Sequence, residues 1–191
     1  MYVYALEKNP EMIKMPSLLL IGGTKRKIGK TTLAEMVIEK FGEANEIIGV
    51  KISNMKPGEE DFHGFHEHIL HEKYTILKEY NGGKKDSQRM IGSGAQHAYF
   101  IRVQDESLDE AFQALLQEIG NNSIIVCESN SLRNIVEPGL FFMVHEQGSE
   151  LLKAESEKLL TVADIRLNAH DYPHFSETAN RLQLLKTGWT I

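Results

Sequence analysis

Residues 18–32 read Leu18-Leu19-Leu20-Ile21-Gly22-Gly23-Thr24-Lys25-Arg26-Lys27-Ile28-Gly29-Lys30-Thr31-Thr32. An apolar run ends at two glycines, passes through a basic loop and continues into a segment that begins Gly-Lys-Thr-Thr. This order predicts a strand, a loop and a helix, which is the context that a phosphate-binding loop requires. Backbone N–H groups and the dipole of the helix place partial positive charge at one point of such a loop. We therefore expect residues 23–32 to bind the phosphates of a nucleotide.

Two side chains of this stretch have specific expected roles. Lys30 would reach the outer phosphates, and the Thr31 hydroxyl would complete the ligand shell of a Mg²⁺ ion. The usual pattern is G-x-x-x-x-G-K-[ST], and here Thr24 stands where its first glycine belongs. Lys25 has the spacing of the additional lysine in variant loops of the form K-G-G-x-G-K-[ST]. The pair Arg26-Lys27 replaces the middle glycines of that form, and these side chains either crowd a phosphate or bind it through their charge.

The composition is that of an ordinary globular domain, with 191 residues, 41% hydrophobic and 25% charged. One domain over residues 1–191 is large enough to bury a core without disulfides or a structural metal. The net charge of −6 argues against nucleic acid as a partner, and the apolar runs are too short for a membrane span. A single cysteine, Cys127, fits a reducing compartment, and the N-terminus lacks the apolar core of a signal peptide. We therefore expect a cytoplasmic protein.

Apolar strand-like segments alternate with helical segments along the chain. Strands are predicted at 2–6, 17–22, 47–52, 98–103, 123–127, 140–144 and 165–167. Helices are predicted at 29–41, 86–93, 108–119 and 176–186. This alternation is typical of an α/β fold with helices on both faces of a mostly parallel sheet. We expect a three-layer sandwich of the P-loop NTPase type.

The segment from about residue 55 to 83 departs from this alternation. It contains a possible strand or hairpin and four histidines, His63, His66, His68 and His71, in the pattern H-x-x-H-x-H-x-x-H. Imidazoles at this density are compatible with a bound Zn²⁺. Because no cysteine accompanies them, we favour contacts to a substrate or to a second subunit over a metal site.

Three charged residues are candidates for the same site as the loop. Glu128 follows the apolar run 124–127, at the place where a strand-end acid would help Thr31 to hold Mg²⁺. Lys51 lies near the end of the second strand and would approach the same edge of the sheet. Asp86 either caps the helix that it begins or holds a metal or water.

The polar run Ser129-Asn130-Ser131-Leu132-Arg133 follows the strand that ends at Glu128. Two interpretations stay open for it. The run would line a substrate cleft, or it is an ordinary turn with a helix cap.

Taken together, these segments resemble the molybdopterin-guanine dinucleotide biosynthesis protein B family. The resemblance rests on Gly29-Lys30-Thr31-Thr32, Gly49-Val50-Lys51, the histidine-containing segment, Lys85-Asp86-Ser87-Gln88-Arg89 with Gly94-Ala95, and the strand that ends at Glu128. It implies a GTP-binding, dimeric P-loop protein that assists the attachment of a nucleotide to molybdopterin. A pterin-type or other small molecule would then be a partner, and Asp86 and Glu128 would have functional roles.

The expected activity is Mg²⁺-dependent binding of GTP or ATP with slow hydrolysis of the nucleotide. Lys30, Asp86 and Glu128 are the expected catalytic residues, because phosphoryl transfer depends mainly on positioning and charge neutralisation. The guanine-reading motif N-K-x-D is absent from the sequence, so the base stays open. The alternatives are a small-molecule kinase or ATP-dependent ligase, and a nucleotide-gated protein that binds a metal or a partner.

Overall fold

The computed structural model describes residues 12–55, 67–81, 83–146, 148 and 153–191, and only the backbone of residues 67, 68 and 70. The strand expected at 2–6 lies outside the described residues. The strands are β1 (Ile13–Gly23), β2 (Ile47–Asn54), β3 (Glu67–His71), β4 (Tyr74–Lys78), β5 (His97–Val103), β6 (Ile124–Glu128), β7 (Val136–His145), β8 (Ile165–Asn168), β9 (Gln183–Leu185) and β10 (Gly188–Thr190). The helices are α1 (Lys30–Phe41), α2 (Asp86–Gly92), α3 (Leu108–Ile119), α4 (Ala154–Thr161) and α5 (Tyr172–Arg181).

Eight of the described strands form one sheet in the order β3-β4-β5-β2-β6-β1-β7-β8. Neighbouring strands from β5 through to β8 pair in parallel, whereas β4 pairs antiparallel with both β3 and β5. The described part of the histidine-containing segment thus adds a hairpin to one edge of the sheet. The prediction of an α/β fold with a mostly parallel sheet is confirmed.

Side chains of the central strands enter two apolar cores, one on each face of the sheet. Helices α1, α2 and α5 cover one face and bury Leu33, Met90 and Phe175 there. Helices α3 and α4 cover the other face with Phe112 and Leu159. The protein therefore has three layers, which is the expected way for both faces of a parallel sheet to be buried. None of the helices in the described ranges is long and apolar enough to cross a membrane.

The sheet register brings Glu128, the last residue of β6, level with Lys51, the fifth of the eight residues of β2. Glu128 is also level with Ile21 on β1. Since side chains alternate along a strand, Lys51 and Glu128 lie on the face that α1 and α2 cover. In open parallel sheets, ligands bind at the carboxyl ends of the strands.

Strands β1 and β7 begin earlier than their sequence patterns predict. Pro16 in β1 and the pair Pro138-Gly139 in β7 look like turn signals, but the two segments pair with each other. Met15 lies opposite Pro138, and the register shifts between Met15 and Leu19. An irregular stretch of pairing thus accommodates both prolines inside the strands.

The C-terminal region differs most from the sequence prediction. The helix expected at 176–186 is α5, which begins at Tyr172, where the Asp171 carboxylate accepts a 3.2 Å hydrogen bond from the His174 N–H, and ends at Arg181. The remainder forms the β9–β10 hairpin, held by a 2.9 Å hydrogen bond from Trp189 Nε1 to the Ser17 carbonyl. Helix α4 was not predicted, because few of its side chains are apolar and buried.

Candidate functional site

Neighbouring strand ends fix the start of the loop that joins β1 to α1. The Asn130 amide binds both backbone groups of Gly23, accepting from its N–H at 2.8 Å and donating to its carbonyl at 2.9 Å. The N–H of Thr24 donates to the Val144 carbonyl on β7 at 3.0 Å. Thr24 therefore extends the β1–β7 pairing.

A buried side chain and a glycine fix the end of the same loop. Ile28 is fully buried, so its side chain belongs to the core and not to the loop's solvent surface. Gly29 has φ of 108°, and a Cβ there would lie 3.0 Å from Cε2 of Phe175, so this position requires glycine. Lys27 has φ of 57°, which is uncommon for a residue with a side chain. Arg26 and Lys27 are both exposed, so they do not crowd the interior of the loop.

The first turn of α1 is open to an anion. Its N-cap is Gly29, which has no side chain to bind the N–H groups of the turn, and the turn contains no acidic residue. The Lys30 ammonium lies across the loop and donates to the Lys25 carbonyl at 3.1 Å. The Lys25 ammonium pairs with the carboxylate of Glu146, one residue beyond β7. The two lysines thus place positive charge on different flanks of the loop.

The buried carboxylate of Glu128 joins the loop to β2 and α2. Its Oε2 accepts a 2.7 Å hydrogen bond from the Thr31 hydroxyl, and its Oε1 accepts one of 3.0 Å from Lys51. Lys30 Nζ lies 3.9 Å from the same Oε1. Lys51 also donates to the Asp86 carboxylate at the start of α2. These five side chains form one connected cluster of two acids, two lysines and a hydroxyl.

The pKa values of the two lysines shift in opposite directions. Burial lowers the pKa of Lys30, with Lys51 and Arg26 acting in the same sense and the acids of the cluster opposing them. Burial also acts to lower the pKa of Lys51, but Glu128 and Asp86 outweigh it and raise that pKa. The neighbouring acids thus compensate the burial of the Lys30 charge less fully than that of the Lys51 charge, and this favours an anionic ligand beside Lys30.

Two further contacts hold α2 so that Asp86 meets Lys51. Glu79, buried at the end of β4, accepts hydrogen bonds from the Ser87 hydroxyl at 2.8 Å and from the Gln88 amide at 3.0 Å. Arg89 binds both carboxylate oxygens of Glu35 on α1, at 2.8 and 2.5 Å. Sequence reasoning did not identify these acids, because nothing in the sequence marks either of them as a partner of α2.

The structure brings together only part of the predicted site. Lys30, Thr31, Glu128, Asp86 and Lys51 form the cluster described above. Gly23 binds Asn130 through its backbone groups, and Thr24 extends the strand pairing through its N–H. Lys25 turns to Glu146, Ile28 is in the core, and Thr32 lies half-buried in the first turn of α1. Asp86 is not a helix cap, since Lys85 occupies that position.

The run after β6 forms a turn that supports the loop. The Ser129 N–H donates to the Ile21 carbonyl at 3.1 Å, and the Ser129 hydroxyl accepts from the Leu132 N–H at 3.1 Å. A 3-10 turn then follows over Ser131–Asn134. This geometry agrees with the interpretation as a turn, and the interpretation as the lining of a substrate cleft stays a prediction.

Only part of the histidine-containing segment lies within the described residues. His63 and His66 lie outside the described residues, and the side chain of His68 is not described. The His71 ring stacks on Tyr74 at 4.7 Å and its Nε2 lies 3.8 Å from the Glu110 carboxylate. Within the described residues, no three His, Cys, Asp or Glu side chains are arranged to hold a metal ion.

Comparisons of the chain with protein-family models, with curated proteins and with solved structures found no match.

Proposed function

We propose that the β1–α1 loop and the first turn of α1 bind the phosphates of a Mg²⁺-nucleoside triphosphate. One observation supports this proposal above the others. Thr31 donates a 2.7 Å hydrogen bond to Glu128 while Lys30 lies 3.9 Å from the same carboxylate. This contact places a hydroxyl, a carboxylate and an ammonium group at the junction of the loop, the helix start and the end of β6.

The charges around the loop favour a phosphate ligand. Gly29 leaves the first-turn N–H groups of α1 accessible, and an anion near them gains from the helix dipole. Lys30 adds a positive charge that is partly desolvated and has its nearest carboxylate oxygen at 3.9 Å. A triphosphate is an anion that can bind the first-turn N–H groups of α1 and the Lys30 ammonium together.

The oxygen atoms of Thr31 and Glu128 suit a magnesium ion. Mg²⁺ prefers hard oxygen ligands, and in nucleotide sites it takes one or two from the protein and the rest from phosphate and water. When bound, the ion supplies charge that neutralises the outer phosphates. Thr31 and Glu128 would hold it, and Lys51 orients the second carboxylate oxygen through its 3.0 Å hydrogen bond.

The same residues favour slow hydrolysis. Lys30 is placed to neutralise charge on the outer phosphates, which is the main requirement of phosphoryl transfer. Asp86 is bound to Lys51, so we expect it to position that lysine and a water molecule. Arg89 is held by Glu35 and therefore does not act as an arginine finger without releasing that acid. We expect turnover to be slow unless a partner supplies an arginine finger.

The nucleotide is proposed to be GTP on the strength of the family resemblance. The motif residues that carry the resemblance, Lys51, Asp86 and Glu128, come from three separate segments and are in contact. We extend the proposal to a GTP-binding protein that assists nucleotide attachment to a pterin-type cofactor.

Calorimetric titration of GTP and ATP, each with Mg²⁺, tests the proposal. Lys30→Ala is expected to weaken binding by about 10- to 100-fold, as the loss of a charge-assisted contact of about 1.5–3 kcal/mol. Lys158→Ala on α4 is the matched control, since it removes an exposed lysine on the opposite face of the sheet. The wild type should bind GTP in preference to ATP and release phosphate slowly.

Failure to bind either nucleotide would overturn the proposal. Binding that persists unchanged in Lys30→Ala would place the nucleotide elsewhere. A preference for ATP would keep the phosphate site but remove the link to GTP-dependent cofactor assembly.

A further inference from the structure

The two flanks of the β1–α1 loop differ in chemistry. On one flank, β6 and β2 carry Glu128 and Lys51, beside which the outer phosphates and the magnesium ion are proposed to bind. On the other flank lie β7, β8 and the start of α5. Since a triphosphate extends away from its metal-bound end, the nucleoside would leave the loop on this second flank.

An exposed aromatic side chain lies on this second flank. Tyr172 is the first residue of α5, and 44% of its surface is exposed. Its ring packs edge-to-face on Phe175, with centroids 5.8 Å apart. Phe175 is fully buried and approaches Gly29, where an added Cβ would lie 3.0 Å from Cε2. The Phe175 ring therefore connects Gly29, the last residue of the loop, to a tyrosine in contact with solvent.

The His170 ring and an ion pair extend this surface toward the loop. His170 lies between β8 and α5, with its ring centroid 6.2 Å from that of Tyr172 and its Nδ1 3.4 Å from the tyrosine hydroxyl. The Lys25 hydrogen bond lowers the pKa of Glu146, and His170 contributes in the same direction. Lys25 pairs with Glu146, and the Ala169 N–H beside His170 donates to the His145 carbonyl beside Glu146 at 2.6 Å, so the end of β7 joins the loop to the segment that carries the aromatic rings.

We infer that Tyr172, flanked by His170, is the stacking surface for the nucleobase of the nucleotide bound at the loop. The inference rests on the function proposed above. Every base presents a π-face, so a tyrosine beside the phosphate site binds purines by stacking with little dependence on their edge groups. Phe175 holds the tyrosine in place from behind through its edge-to-face contact.

The test compares a nucleotide with inorganic tripolyphosphate, which has no base. Calorimetry would measure the binding of GTP, ATP and tripolyphosphate, each with Mg²⁺, to Tyr172→Ala and Tyr172→Phe. Tyr80→Ala is the control, because it removes a tyrosine that is 52% exposed near the opposite ends of the strands. Far-ultraviolet circular dichroism would establish that each variant is folded.

Tyr172→Ala should weaken GTP and ATP binding by roughly tenfold and leave tripolyphosphate binding unchanged, while Tyr172→Phe and Tyr80→Ala bind all three as the wild type does. Unchanged nucleotide binding in Tyr172→Ala would overturn the inference and leave the phosphate site intact. Equal weakening of all three ligands would also overturn it, because the tyrosine would then support the loop. A wild type that binds none of the three ligands would overturn the proposed function together with the inference.

Discussion

The hydroxyl of Thr31 donates a 2.7 Å hydrogen bond to Oε2 of Glu128, and so joins the first turn of α1 to the carboxyl end of β6. The two residues are 97 positions apart in the sequence. Glu128 is the last residue of the buried strand β6, and Thr31 follows the buried strand β1 after one loop. Their contact makes the helix start, the strand end and the oxygen atoms that we propose hold Mg²⁺ one unit.

Thr31→Ala should remove most of the Mg²⁺ dependence of nucleotide binding, whereas Thr31→Ser should keep it. Serine retains the hydroxyl that binds Glu128, so only the methyl group is lost. We expect alanine to weaken binding in Mg²⁺ by about tenfold, and to lower the free energy of unfolding by about 1–3 kcal/mol through loss of a hydrogen bond to a charged group. Titrations of each variant with and without Mg²⁺ measure the first effect, and urea unfolding measures the second. Equal Mg²⁺ dependence in the two variants would contradict this role of the hydroxyl.

Lys51→Met should remove a pH-dependent part of the stability. The pKa of Lys51 is raised above its ordinary 10.5 in the folded state, so its contribution to stability is fully present below about 10.5 and is lost as the pH rises through the folded value. Urea unfolding from pH 8 to 11.5 should give a wild-type advantage of about 1–3 kcal/mol that is constant up to about pH 10 and then falls. An advantage that stays constant to pH 11.5 would show that Lys51 contributes through packing alone.

The sequence was sufficient for the fold class because the alternation of apolar strands and amphipathic helices is a local signal. It also pointed to Lys51 and Glu128 separately, since a charged residue at the end of an apolar strand is conspicuous. Their contact could not be read from the sequence, because it depends on β2 pairing with β6 in one register. The pattern does not encode which non-consecutive strands become neighbours.

Sequence reasoning missed specific contacts that depend on tertiary packing. Asn130, one of the polar residues after β6, binds Gly23 across 107 positions, and Glu79 binds Ser87 and Gln88 of α2. In the C-terminal region, Trp189 is buried against β1 through a hairpin of two three-residue strands. Such short strands give no periodic signal, and tertiary packing determines where α5 ends.

Asn130→Ala should loosen the start of the loop. The substitution removes both side-chain hydrogen bonds to Gly23 and leaves its partly buried N–H and carbonyl without that partner. We expect a loss of about 1–3 kcal/mol in the free energy of unfolding. Asn134→Ala, an exposed residue of the following turn, is the matched control and should change stability by less than about 0.5 kcal/mol. Nucleotide binding should weaken in Asn130→Ala alone, and equal stability of the two variants would contradict the assigned role.

Gly29→Ala should destabilise the protein for two separable reasons. The backbone has φ of 108°, which strains any L side chain, and the new Cβ would lie 3.0 Å from Cε2 of Phe175. We expect the two effects together to lower the free energy of unfolding, measured in urea, by about 1–3 kcal/mol. The double variant Gly29→Ala/Phe175→Leu, compared with Phe175→Leu alone, should recover the contact part of this cost but not the backbone part. Gly92→Ala is the control, since a Cβ there meets nothing within 4 Å among the described residues and alanine is the better helix former. If Gly29→Ala were as stable as Gly92→Ala, the left-handed turn that begins α1 would not require glycine, and the open helix start on which the proposed phosphate site depends would lose its structural basis.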